Sequence, residues 1–116
     1  MRRVILESPY AGDVETNVAY ARACLADCLA RGEAPLASHL LFTQPGVLRD
    51  DVPEERARGI EAGLAWIAYA DAMVLYCDRG ISRGMQAAMR LAQRTGVPVE
   101  LRSLNIITPE EKPCAP

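Results

Sequence analysis

The spacing of apolar positions changes period several times along the chain, and each change predicts an element. Arg3-Val-Ile-Leu-Glu-Ser8 is a short, β-branched run that ends in the turn formers Ser8-Pro9-Tyr10-Ala11-Gly12, which reads as a buried first strand and its loop. From Asp13 to Arg31, Val14, Val18, Ala21, Leu25, Cys28 and Leu29 recur at three- and four-residue intervals. That is the stripe of an amphipathic helix, with Asp13 as its N-cap and Gly32 as its C-cap. Ala34–Ser38 is a weak second strand with Pro35 near its start, where a strand tolerates proline. His39 to Val52 reads as a loop, punctuated by Pro45-Gly46. Pro53-Glu54-Glu55 has the proline and acids of a helix first turn, and the helix is expected to run to Tyr69.

Asp71–Cys77 is almost continuously apolar, the pattern of a strand covered on both faces, as in a parallel sheet. A glycine-bearing loop, Asp78–Gly84, leads to a helix expected from Met85 to Arg94 and closed at Gly96. Val97–Leu101 is the last strand, and Thr108–Pro116 a polar, Pro-rich tail. Strands alternating with helices predict an α/β fold with a parallel sheet of four to five strands and right-handed crossovers. Residues 1–107 are expected to form one domain and 108–116 a flexible tail. Ligands of such sheets sit outside the carboxyl ends of the strands. This confines the search to Ser8–Gly12, Ser38–Gln44 and Asp78–Gly84.

Composition narrows the classes of function. The 116 residues carry 13 basic and 15 acidic side chains, a net charge of -2, which argues against a basic nucleic-acid binder. Twelve of the thirteen basic residues are arginine, whose forked donors suit carboxylates and phosphates. The uncharged stretch Leu36–Leu48 is too short and too polar to span a bilayer. Only three apolar residues follow Met1-Arg2-Arg3 before Glu7, so no secretory signal is expected and the expected compartment is the cytoplasm. Cys24 and Cys28 share a helix face, but the single histidine, His39, lies elsewhere. They are read as small buried hydrophobes, and neither a metal site nor a cofactor is expected.

Within the three loops, Gly80, Ser82, Arg83, Gly84 and Met85 open a helix directly after a buried strand. Such a start offers free N–H groups to an anion; the plainer reading is an N-cap serine with spacer glycines. Neither the dinucleotide-binding glycine pattern nor the phosphate loop ending in Gly-Lys-Ser/Thr is present. Ser8, Pro9, Tyr10, Ala11 and Gly12 form a second candidate wall, where Tyr10 can stack on a ring and the backbone can donate. His39 is either a ligand or acid/base group or a hydrogen-bonded structural residue. Asp78, at the end of the most buried strand, either acts on substrate or ties its own loop. Glu7 reaches the cleft if the strand register allows it. Trp66 is read as core or subunit interface, and Asp50-Asp51 and Glu54-Glu55 as a solvated loop and helix start.

Three segments carry a resemblance: Ser8-Pro9-Tyr10-Ala11-Gly12; Ala65-Trp66 followed by Ala70-Asp71 and an apolar strand; and Gly80-Ile81-Ser82-Arg83-Gly84-Met85 leading to Ala92. Over residues 3–104 the chain resembles the nucleoside 2-deoxyribosyltransferase-like superfamily, and more closely its short bacterial and phage relatives of unassigned function. The resemblance implies a three-layer, flavodoxin-like sandwich and a homodimer or higher oligomer. It further implies action on the N-glycosidic bond of a nucleoside or nucleotide. Members use a glutamate nucleophile on the helix after the glycine loop; Ala88 stands at that position. The assisting carboxylate falls at Gly63. Ser82 matches the phosphate-contacting serine of the monophosphate-cleaving branch. The expectation is therefore a binder of a nucleotide or phosphorylated ribosyl ligand that lacks the usual acid. Two alternatives stand beside it. One is an active enzyme using a displaced acid (Asp78, Glu61 or Glu7), or a catalytic mutant of such an enzyme. The other is a non-catalytic interaction protein.

Overall fold

A computed structural model of the chain describes residues 1–105. Four parallel strands, β1 (Arg3–Glu7), β2 (Ala34–Leu36), β3 (Ala72–Tyr76) and β4 (Val99–Arg102), form one sheet in the order β2-β1-β3-β4. The fold is α/β with a parallel sheet, as the alternation predicts, and flavodoxin-like, as the resemblance implies. The register sets Val4 beside Ala72 and Glu7 beside Leu75, so β1 and β3 end at nearly the same level. Strand order reverses between them, which makes their carboxyl ends the natural crevice of the sheet.

The period-2 alternation of β1 and β3 divides the core. Val4, Leu6, Ala72, Val74 and Tyr76 pack against α1 (Val14–Ala30), through Tyr20, Ala21, Cys24 and Cys28. Ile5, Met73 and Leu75 point the other way, onto Ile67 and onto Met85, Ala88 and Ala92 of the last helix. All five residues of β3 are buried, as its unbroken hydrophobicity requires. Cys24 and Cys28 are buried free thiols, and burial raises Cys24 to about 12, well out of the reactive range. Among the described residues, no cluster of side chains could hold a metal and no helix is long and apolar enough to cross a membrane.

Several boundaries differ from those expected of the sequence; β2 ends at Leu36 and not Ser38, and β4 spans Val99–Arg102 and not Val97–Leu101. The expected loop after β2 begins with a four-residue helix, α2 (Ser38–Leu41), whose buried Leu40 joins the α1 side of the core. The helix expected to reach Tyr69 is α3 (Pro53–Ala65), followed by a 3-10 turn at Ile67–Tyr69 that turns the chain to bury Ile67. The last helix, α4 (Arg83–Thr95), starts two residues earlier than the apolar pattern suggests, because Ser82 caps it. Gly96 ends it in the left-handed conformation, as its glycine predicts. Trp66, read as core or interface, is 53% exposed, so it is no core residue. The tail 108–116 lies outside the described residues.

Candidate functional site

At the carboxyl end of the sheet lies a cavity of about 540 Å³, a volume suited to a small organic ligand. Its walls come from the β1 loop, from α2 and the segment after it, from α3, and from the start of α4. Of the residues picked out in the sequence, Ser8, Tyr10, Ala11, His39, Ser82, Arg83, Gly84, Met85 and Ala88 line it. Pro9, Gly12, Gly80 and Asp78 are not part of the lining. Gly12 and Gly80 have φ of +98° and +85°, and each allows its loop to turn where other residues would be strained.

The β1 loop is held from below by Asn17, a residue the sequence reading did not single out. Its amide donates to the carbonyls of Tyr10 at 3.0 Å and Ala11 at 3.2 Å, and its own oxygen accepts from Arg79. Asp13 caps α1 by accepting from the Thr16 amide. Ser8, 4% exposed, bonds the Nε2 of His39 at 2.7 Å and so fastens α2 to the end of β1. His39 Nδ1 is buried without a partner among the described residues. Burial holds its imidazole down at about 4, so it is neutral at physiological pH. In this neutral form it is the hydrogen-bonding partner of Ser8.

The start of α4 leaves hydrogen-bond donors unused among the described residues. Ser82 accepts from the Met85 amide at 3.2 Å, which leaves its own O–H free to donate. The Met85 amide is thereby used internally. The amides of Arg83 and Gly84 have no partner among the described residues. No acid stands in the first turn of α4, so its positive dipole end is uncompensated. The exposed Arg83 side chain also reaches the cavity wall.

The acids separate cleanly. Asp78 is buried; its carboxylate accepts from the Tyr20 hydroxyl at 2.6 Å, from the Leu104 amide at 2.9 Å and from the Ser103 hydroxyl. That is the loop-tying arrangement: it joins the end of β3 to α1 and to the segment after β4. Glu61 is exposed and outside the lining. Glu7 ends β1 on the α4 face of the sheet, because it follows Ile5 by two residues. Half-buried on the cavity wall, its carboxyl has no hydrogen bond or ion pair among the described residues. Desolvation alone lifts it to about 7.

Facing these groups, Ala88 is 2% exposed and buried in the wall beside Ala87. Gly63 of α3 lies so close to Ser38 that a β-carbon there would stand 2.9 Å from the Ser38 β-carbon. The α2–α3 side supplies the apolar surface, from Phe42, Leu48, Ile60 and Leu64, and a polar rim. In that rim Arg56 pairs with Asp50 at 3.0 Å, and Glu55 accepts from the Arg49 amide at 3.0 Å. The sequence points to this wall through Ser38–Gln44 and Gly63, but not to Leu48, Ile60 and Leu64. Their signal was the length of the segment after His39, since long connections in compact domains are commonly functional.

The chain is similar in structure to the 2-deoxyribosyltransferase of the psychrotolerant bacterium Bacillus psychrosaccharolyticus. The TM-score is 0.58 and the identity 21%, over 91% of this chain and 77% of that one, which establishes a shared fold. No curated protein matches the sequence. Residues 2–102, nearly the whole described length, match the family described as a domain of unknown function, DUF7768, and the chain belongs to that family.

Proposed function

We propose that the cavity binds a nucleotide or a related phosphorylated ribosyl compound. The observation that carries this reading is the start of α4. Two unpartnered amides and a free hydroxyl donor open there into a largely apolar pocket of ligand size. A phosphate fits the Arg83 and Gly84 amides, the Ser82 hydroxyl and the Arg83 guanidinium, while Tyr10, Phe42 and Leu64 cover a sugar or base. The activity named for the structural neighbour, 2-deoxyribosyl transfer, concerns a ligand of the same kind. Calorimetric titration with a panel of nucleoside 5′-monophosphates is expected to give saturable binding, weakened by Arg83→Ala. Absence of heat from every member, with folded protein, contradicts the reading.

Glu7 supports a second reading, an active N-glycosidase or ribosyltransferase that uses a displaced acid. It is a carboxyl in the cavity with no structural partner among the described residues and an affinity for protons near neutral pH, as acid–base catalysis requires. Chromatography of nucleotide incubations is expected to show free base that Glu7→Gln abolishes. Unchanged release in Glu7→Gln removes Glu7 from the reaction. The open cavity counts against a purely structural protein. A second copy is proposed to close the rim where Ile60 is exposed, giving a homodimer or higher oligomer measurable by light scattering.

A further inference from the structure

We propose that Glu7 is a specificity residue, accepting hydrogen bonds from the vicinal hydroxyls of a ribose and so selecting ribosyl over 2-deoxyribosyl ligands. The inference rests on the phosphate assignment above. A carboxylate turned into a cavity without a donor is incomplete, since charged acceptors removed from water need hydrogen bonds. The described residues provide none: no side chain or amide of the lining reaches Glu7, while Asp78, Asp50 and Glu55 are all satisfied elsewhere. The donors must therefore come from what fills the cavity. A carboxylate has two oxygens and suits a pair of adjacent donors; the cis-diol of ribose is such a pair.

The spacing agrees. The anion position is the Arg83–Gly84 start of α4, and Ala88 lines the same cavity four residues further along. At 1.5 Å per residue that is about 6 Å, the scale that separates a 5′-phosphate from the hydroxyls on the far side of its own sugar ring. Glu7 and Ala88 both lie on the α4 face of the sheet, and alanine leaves room there for the ring. The carboxyl's affinity for protons adds a consequence. Donors from the ligand favour the charged form, so binding releases a proton from Glu7 near neutral pH.

The test compares ribose 5-phosphate with 2-deoxyribose 5-phosphate, and AMP, GMP, CMP and UMP with their 2′-deoxy counterparts, by calorimetry on the full chain. Two buffers of different ionisation enthalpy report the protons exchanged. The ribosyl member of each pair is expected to bind roughly ten- to a hundredfold more tightly, as loss of a charge-assisted hydrogen bond implies. Glu7→Gln is expected to erase most of that preference and the proton released from Glu7. Equal affinity for both sugars overturns the inference while leaving phosphate binding standing. So does a ribosyl preference that persists in Glu7→Gln. Binding by neither sugar series overturns both this inference and the reading beneath it. Should Glu7→Gln fold poorly, the ratio and the proton release measured on the unaltered protein decide alone.

Discussion

At the scale of single residues, two cavity groups carry opposite pH signatures. Glu7 holds its proton up to about 7 against 4.5 in an unfolded chain. Folded protein therefore binds more protons between those values, and Glu7's contribution to stability, complete below pH 4.5, fades as pH rises through 7. His39 is depressed to about 4 from 6.5. Its contribution is complete above pH 6.5 and is lost as pH falls towards 4. Between pH 4.5 and 6.5 the two slopes oppose, so the unaltered protein is expected to show a flat stability profile there. Glu7→Gln removes one slope. In urea unfolding it is expected to gain on the order of 2 kcal/mol over the parent at pH 8 and almost nothing at pH 4.5. An equal effect at both values contradicts a desolvated Glu7. Neither behaviour was legible in the sequence. Glu7 required the strand register, and Asp78, first among the three displaced-acid candidates there, is held by Tyr20, Ser103 and Leu104 from distant parts of the chain.

At the scale of elements, α2 and α3 approach closely where Gly63 faces the Ser38 side chain, on the wall of the cavity. Gly63→Ala places a methyl group against both the Cβ and Oγ of Ser38, so α2 must move. The expected cost is about 1–3 kcal/mol, read as a lower unfolding midpoint, with ligand affinity falling because His39 moves with α2. Gly63→Ala,Ser38→Gly is expected to recover much of the midpoint; no recovery would place the strain elsewhere. β1, β3, α1 and the body of α4 were legible because their apolar runs and stripes are strong and the caps Asp13 and Gly96 act locally. α2 was not. Four residues carry too little period, its N-cap Ala37 provides no side-chain bond, and tertiary burial of Leu40 decides it. The end of α3 was missed for a similar reason, since the apolar run continues through the 3-10 turn.

At the scale of the whole molecule, one buried ion pair joins the two edges of the sheet. Arg102 of β4 meets Glu33, just before β2, through paired bonds of 2.7 and 2.6 Å, with Arg2 and Glu100 joining the network. Arg102→Met leaves Glu33 buried with only Arg2 beside it and is expected to cost about 3 kcal/mol. Adding Glu33→Met should restore much of that loss in chemical denaturation, because two apolar side chains replace the pair without leaving a charge behind. This network joins segments almost seventy residues apart, which no local pattern can announce. The fold is nonetheless a consequence of local pattern; the site is a consequence of the topology, which brings the ends of β1 and β3 to one crevice. The claim that this crevice holds a phosphorylated ribosyl ligand is tested most directly by amide chemical shifts in the 15N-labelled chain, titrated with ribose 5-phosphate and AMP. Saturating shifts of the Arg83 and Gly84 amides, together with those of Glu7 and Ser8, are the expected result. Unmoved Arg83 and Gly84 amides at saturating ligand would contradict the claim.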